Sequence, residues 1–200
     1  YTPPTHAGKL ATSAEFNPRD LLGNPRARLA IACNAAAQAN TSIVMVLTSL
    51  MLSHHGHSLS EIGFSHMFHS AGMFAFTIPL GWLADRLGRE RIMYPGVLAS
   101  ILGACLVTFG DTYGLITLGA FLVGLGWSGA NVAATALIAD SCGAAQRGRA
   151  IGVNDSFAGA AAVATAVITG PLIQWWGLGA AGIAAVGGGL PRSRWYRQCR

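Results

Sequence analysis

The chain has 200 residues, 52% of them hydrophobic and only 10% charged, with a mean hydropathy of +0.45 and a formal net charge of +5. Soluble domains carry roughly 25% charged residues, so this composition excludes an ordinary soluble globule. The basic excess does not indicate nucleic acid either: all 13 Lys and Arg fall in four clusters parted by long apolar runs, whereas a nucleic-acid surface interleaves basic with polar residues.

Residues 1–28 are polar and basic, contain prolines and have no apolar signal core. They read as a cytoplasmic leader or a central linker, and the start at Tyr1 rather than Met reads as an internal fragment. Six apolar segments follow, at 29–52, 59–84, 92–109, 113–139, 150–173 and 175–190. A helix needs roughly 20 residues to cross a bilayer. The first, second, fourth and fifth segments reach that length; the third is marginal and the sixth is short and Gly-rich. Residues 191–200 form a basic tail, and GGGLPRSRWYRQCR is open to three readings: a native end, a truncation or a shifted frame.

The basic clusters fix a topology. They are Lys9, Arg19, Arg26 and Arg28; Arg86, Arg89 and Arg91; Arg147 and Arg149; and Arg192, Arg194, Arg197 and Arg200. They lie before the first segment and after the second, fourth and sixth. The loops SHHGHS, GDTY and QWWG, after the first, third and fifth, contain no Lys or Arg. Basic residues stay on the cytoplasmic side, so six helices with both ends cytoplasmic satisfy every cluster at once, in a cell-membrane protein. Cys33, Cys105, Cys142 and Cys199 are too widely spaced for a disulfide framework or a CxxC metal site.

Local signals agree. Ser58 and Glu61 fit a capping box that starts the second helix, and Asp111 can cap the fourth. Gly119, Gly124, Gly126 and Gly129 in the fourth helix, and Ala158, Ala162, Ala166 and Gly170 at intervals of four in the fifth, give smooth faces where another helix backbone can approach. Such faces serve packing, or flexibility used in transport.

The stretch GWLADRLGRERIM, residues 81–93, concentrates charge between two apolar runs. Asp85 ends a helix at its negative pole, which is unfavourable unless an Arg or a helix N-terminus answers it. Gly81 clears space for a neighbour, and Gly88 permits a tight reversal. A plain topology-fixing basic turn is the simpler reading. The order G-x-x-x-D-R-x-G-R-x-R, however, resembles the signature loop of the major facilitator superfamily, between the second and third helices of a six-helix half. Asp140, Arg147 and Arg149 resemble the acid-x6-Arg loop of the same family, on the same side of the membrane. The likeness runs from about residue 29 to 173. Glu90 departs from it, standing where the family usually has Lys or Arg. GPLI at 170–173 is similar to the start of the fifth-helix motif of proton-coupled exporters, but the glycines that should follow are missing.

The resemblance implies an all-α polytopic membrane protein, a six-transmembrane-helix half-bundle of this superfamily, and no enzyme. It implies secondary active transport of a small solute by alternating access, with Gly81, Asp85, Arg86, Gly88, Arg89 and Arg91 as the gating loop and Asp140, Arg147 and Arg149 as a cytoplasmic salt-bridge network. Asp85 would touch a helix of the missing six-helix half. The polar basic leader and the stretch FSHMFHSAGMFAFTIPLGWLADRLGR, similar to an eighth helix, favour the C-terminal half, although the loop motif is often better kept in the first half. The expected partners are the solute, a coupled proton, the lipid bilayer and that other half; no nucleic acid, cofactor or metal is expected.

Polar side chains inside spans tend to face a cavity or another helix. Asn34, Gln38 and Thr41 share a face of the first helix, and Trp127, Asn131 and Thr135 share one of the fourth; each set reads as substrate contacts or as interhelical hydrogen bonds. His66 and His69 read as proton carriers, substrate ligands or packing residues. Asp155 reads as a buried proton-coupling acid or as a partner of Arg149. His54, His55 and His57 with His66 and His69 raise a zinc-site alternative, hence a metal-dependent intramembrane enzyme, but lack a recognised ligand spacing. A non-transporting helical scaffold is the other alternative.

Overall fold

The computed structural model describes residues 16–177. Among them are seven helices and no strand: α1 (Pro18–Gly23), α2 (Pro25–His54), α3 (Leu59–Phe74), α4 (Thr77–Leu87), α5 (Arg89–Phe109), α6 (Tyr113–Asp140) and α7 (Arg147–Trp176). Five spans among the described residues are long and apolar enough to cross a membrane, α3 and α4 together making one of them. The expected first five segments are all present. The third is not marginal: α5 is 21 residues long, because Gly88 starts it in the charged loop itself. Trp175 and Trp176 of the expected sixth segment close α7, and the remainder of that segment and the basic tail lie outside the described residues.

The helix starts follow local chemistry. Asn24 accepts from Arg26 N at 3.0 Å, and Pro25, with no N–H to satisfy, takes the first helical position, so α2 begins four residues before the expected 29. Residues 18–23, within the expected polar leader, form a short helix capped by Asn17. The Ser58–Glu61 capping box is present in both directions. The fourth span departs from expectation by one residue. Its cap is Thr112, whose hydroxyl accepts from Leu115 N, and not Asp111. A side chain caps best when it stands three residues before the N–H it receives, and Thr112 has that register.

The second span is broken. α3 ends at Phe74 and α4 resumes at Thr77. Pro79 has no N–H for the Ala75 carbonyl, and its ring crowds the turn before it. The Thr77 hydroxyl donates to the Met73 carbonyl at 3.0 Å across the break.

α6 is the central helix, touching α2, α3, α4, α5 and α7. Its seam with α5 is built on glycine. A Cβ at Gly96 would lie 2.7 Å from Ala130 N, and one at Gly103 would lie 2.6 Å from Gly119 O. A Cβ at Gly126 would collide with Gly96 O. On the α3 side, a Cβ at Gly72 would lie 2.6 Å from Phe121 O, and one at Gly124 would collide with His69 O. Gly119, Gly124 and Gly126 therefore pack backbone on backbone, where van der Waals contact holds helices in lipid. The small-residue face of α7 behaves otherwise. Ala158 is buried, Ala162 is half-buried, and Ala166 and Gly170 are exposed among the described residues.

Two apolar clusters fill the bundle. Ala27, Ala30, Ile31, Ala84, Met93, Leu137, Ile138 and Ala150 pack at the end that carries the arginines. Ile43, Leu47, Leu52, Ala104, Val107, Ile116 and Val123 pack at the other. Between them, α2 is tied to its neighbours by side-chain hydrogen bonds.

Candidate functional site

Two sites emerge, one at the basic end and one at mid-depth. At the basic end, Gly88 joins α4 to α5 with φ +101, a conformation that disfavours any residue with a Cβ. The reversal sets Arg89 one turn from Asp85. Its guanidinium donates to Asp85 and, through Nε, to Asp140 Oδ2 at 3.2 Å. One arginine thus answers the acid that ends α4 and the acid that ends α6. Arg147 turns its Nε to the Ala139 carbonyl at 3.1 Å, not to an acid. Arg86 lies over the Trp82 ring, 3.9 Å from its centroid. Arg91 and Arg149 are exposed and make no ion pair among the described residues. Gly81 is half-buried, and a Cβ there would meet only Val132, at 3.7 Å. Glu90, the departure from the signature order, has a partner at the start of α2: Arg26 Nε lies 3.9 Å away.

At mid-depth, Asn131 Nδ2 donates to Asn34 Oδ1 at 3.0 Å, and Trp127 Nε1 donates to Gln38 Oε1 at 2.5 Å, so the expected polar faces of α2 and α6 meet one another. Asn34 is fully buried, while Gln38, Asn131, Trp127 and Thr135 are half-buried. Thr41 is buried with its hydroxyl unpaired. Two contributors were not legible in the sequence. Asn40 donates to the Ser100 carbonyl at 3.0 Å and bonds its hydroxyl at 2.6 Å, joining α2 to α5. Phe74, at the break between α3 and α4, stands edge-on to Trp127 with centroids 6.3 Å apart. Pro79 was the available signal for the break.

His69 is buried, and its Nδ1 donates to the Ala120 carbonyl at 2.7 Å; His66 Nε2 shares a hydrogen bond with Ser49 Oγ at 2.8 Å. Each ring keeps its other nitrogen buried and unpaired. His55 donates to the Met51 carbonyl and His57 faces Glu61. His54 stands edge-on to His55, with ring centroids 6.0 Å apart, and among the described residues no three His, Cys, Asp or Glu side chains gather as a metal site. Among the described residues Asp155 is exposed on α7, accepts from Asn154 Nδ2 at 3.1 Å, and forms no ion pair with Arg149.

Apolar spans around a hydrogen-bonded polar layer, with an arginine–acid clasp at one end, define an all-α polytopic membrane protein. The sequence pattern of the Major Facilitator Superfamily matches residues 29–191, and the chain belongs to that family. YdeG of Bacillus subtilis, itself an uncharacterised MFS-type transporter, is 30% identical over 149 residues, which are 72% of this chain and 35% of YdeG. The riboflavin transporter RfnT of Brucella anthropi is 29% identical over 136 residues, 68% of this chain and 34% of RfnT. NiaP of Bacillus subtilis, a proposed niacin/nicotinamide transporter, is 29% identical over 113 residues, 56% of this chain and 28% of NiaP. The chain spans about a third of the length of these curated relatives.

Proposed function

We propose that the chain supplies one six-helix half, the C-terminal one, of a secondary active transporter that moves a small solute by alternating access. The observation that carries this reading is the Arg89 clasp. By holding Asp85 and Asp140 together it couples the α4–α5 turn to the end of α6, so it can be made in one state and broken in another. The basic end is then cytoplasmic, with both termini on that side and the protein in the cell membrane. Gly81, Asp85, Arg86, Gly88, Arg89 and Arg91 act as the gate, with Asp140, Arg147 and Arg149 around it.

The second half would cover the helices this half leaves open. Of the 30 residues of α7 only Ala150, Asn154, Ala158 and Thr169 are buried, and α4 buries only Ala84. Substrate would meet Asn34, Gln38, Thr41 and Asn131 near the bilayer midplane. Any coupled proton would be carried by His66, His69 or Asp155, of which Asp155 is exposed, His66 half-buried and His69 buried. The names of the relatives make riboflavin and nicotinamide the first solutes to assay.

The test is solute counterflow in proteoliposomes holding the full-length chain, with and without an imposed proton gradient. Saturable exchange that Arg89→Ala impairs, with insertion intact, is the expected result. Correctly inserted protein that exchanges no solute across a broad metabolite panel would overturn the reading.

A further inference from the structure

We infer that the mid-depth layer, with the rings of Phe74 and Trp127, is a binding site for a flat, uncharged nitrogen heterocycle carrying an amide- or imide-type edge. The inference rests on the transport reading for its context, and on four observations for its content.

The first is depth. Gln38, Phe74 and Trp127 belong to three different spans, Pro25–His54, Leu59–Leu87 and Tyr113–Asp140. At about 1.5 Å of rise per residue, each stands within roughly 3 Å of the middle of its own span. The second is the break. Irregular backbone at membrane depth persists where it is covered by protein or lines a cavity. Phe74, Ala75 and Phe76 are exposed among the described residues, on a side this half leaves open toward the other half or the cavity between them. The break also sits beside the polar layer, because Phe74 packs on Trp127 and Phe76 on Phe121.

The third is the shape and chemistry of the surface. Phe74 and Trp127 meet at 71°, forming a corner, and Phe74 is 66% exposed, which leaves ring surface for a flat ligand to stack on. Gln38 bonds Trp127, and one turn along α2 and α6 stand Asn34 and Asn131; all three amides have unused capacity. Asn34 Nδ2 is buried and unpaired. Asn131 donates to Asn34 and keeps its own carbonyl free, while Gln38 accepts from Trp127 and keeps its amide N–H groups free, among the described residues. A carboxamide or imide edge offers the matching donor and acceptor.

The fourth is charge. Between residues 29 and 60, 62 and 84, 92 and 110, and 112 and 139 there is no Asp, Glu, Lys or Arg. A carboxylate or phosphate placed here would be desolvated with no cation to answer it among the described residues.

The experiment measures binding of riboflavin, nicotinamide and nicotinate to the detergent-purified full-length chain, followed by counterflow in proteoliposomes. Nicotinamide and nicotinate share a ring and differ in charge. Saturable binding of riboflavin or nicotinamide is expected, with nicotinate at least about tenfold weaker. Phe74→Leu, at an exposed position, should weaken binding about tenfold with thermal stability unchanged. Trp127→Leu should do likewise, and Trp127→Phe, which keeps a ring, should lose less. The inference is overturned if folded protein binds neither heterocycle, if nicotinate binds as well as nicotinamide, or if Phe74→Leu and Trp127→Leu both bind as the parent does. Binding without exchange of any solute would overturn the transport reading and leave the site standing. Exchange of another solute without heterocycle binding would do the reverse.

Discussion

Arg89 and Asp140 are separated by 51 positions in the chain, yet Arg89 Nε lies 3.2 Å from Asp140 Oδ2. The same guanidinium holds Asp85, so removing it frees two acids at once. Asp85 and Asp140 are 65% and 55% exposed, and exposed ion pairs contribute little to stability. Arg89→Ala should therefore cost less than about 1 kcal/mol of stability, while changing access to the basic end. Cys142, two residues beyond Asp140 and half-buried, is a native reporter. Its alkylation rate in the full-length chain should rise several-fold in Arg89→Ala. An unchanged rate, with transport also unchanged, would sink the gate.

The α5–α6 seam should tolerate no side chain. Gly126→Ala and Gly96→Ala each force a Cβ into the facing backbone and should destabilise by about 1–3 kcal/mol, read as a lowered Tm in detergent. Gly63→Ala is the control: nothing lies within 4 Å of its added Cβ, so helix propensity should leave stability unchanged or raised by about 1 kcal/mol.

Gly88→Ala should act through backbone strain alone. Its φ of +101 is the obstacle, because nothing lies near the added Cβ. A loss of about 1–2 kcal/mol is expected. Accompanying displacement of Arg89 should raise Cys142 labelling, as in Arg89→Ala.

Pro79→Ala should restore an N–H for the Ala75 carbonyl and knit α3 to α4. Stability should rise by roughly 1–3 kcal/mol and transport should fall, if the break is used in the cycle. Backbone hydrogen exchange at residues 75–79 would report the restored bond directly.

The two histidines should separate. His69→Ala removes a buried ring and its bond to Ala120, so a cost of about 2–4 kcal/mol is expected, mostly from the cavity. His66→Ala, at a half-buried position, should cost less. If His66 carries a proton, the same substitution should flatten the pH dependence of flux; a superimposable pH profile would remove it from the coupling path.

What the sequence made legible was local or periodic. The capping box, the reversal at Gly88 and the glycine face of α6 each depend on residues within a few turns, and each is present in the structure. The spans themselves follow from length and apolarity. Pairings across the bundle were not legible. Asn40 and Ser100 lie 60 positions apart and sit on helices whose relative rotation no single-chain pattern encodes. Asn34, Gln38 and Asn131 could be assigned to faces, but not to one another. How far Asp155 is enclosed depends on which helix covers its face of α7, and no single-chain pattern encodes that. The run 59–84 is predominantly apolar, so length and hydropathy give one span; the break at residues 75 and 76 leaves that pattern untouched, and Pro79 is its one local mark.

The contact between α5 and α6 has a consequence for selectivity. Two helices whose backbones already touch cannot move closer, and the Asn40–Ser100 bond ties α2 to the same frame. At the proposed mid-depth site a solute would therefore rest against a wall of fixed dimensions. Accommodation of larger or smaller molecules falls to the broken second span and to α7, which are the sparsely packed members of the bundle. Substitutions that retune which solutes fit should accumulate there, and the glycine-lined wall should resist change even when the cargo does not.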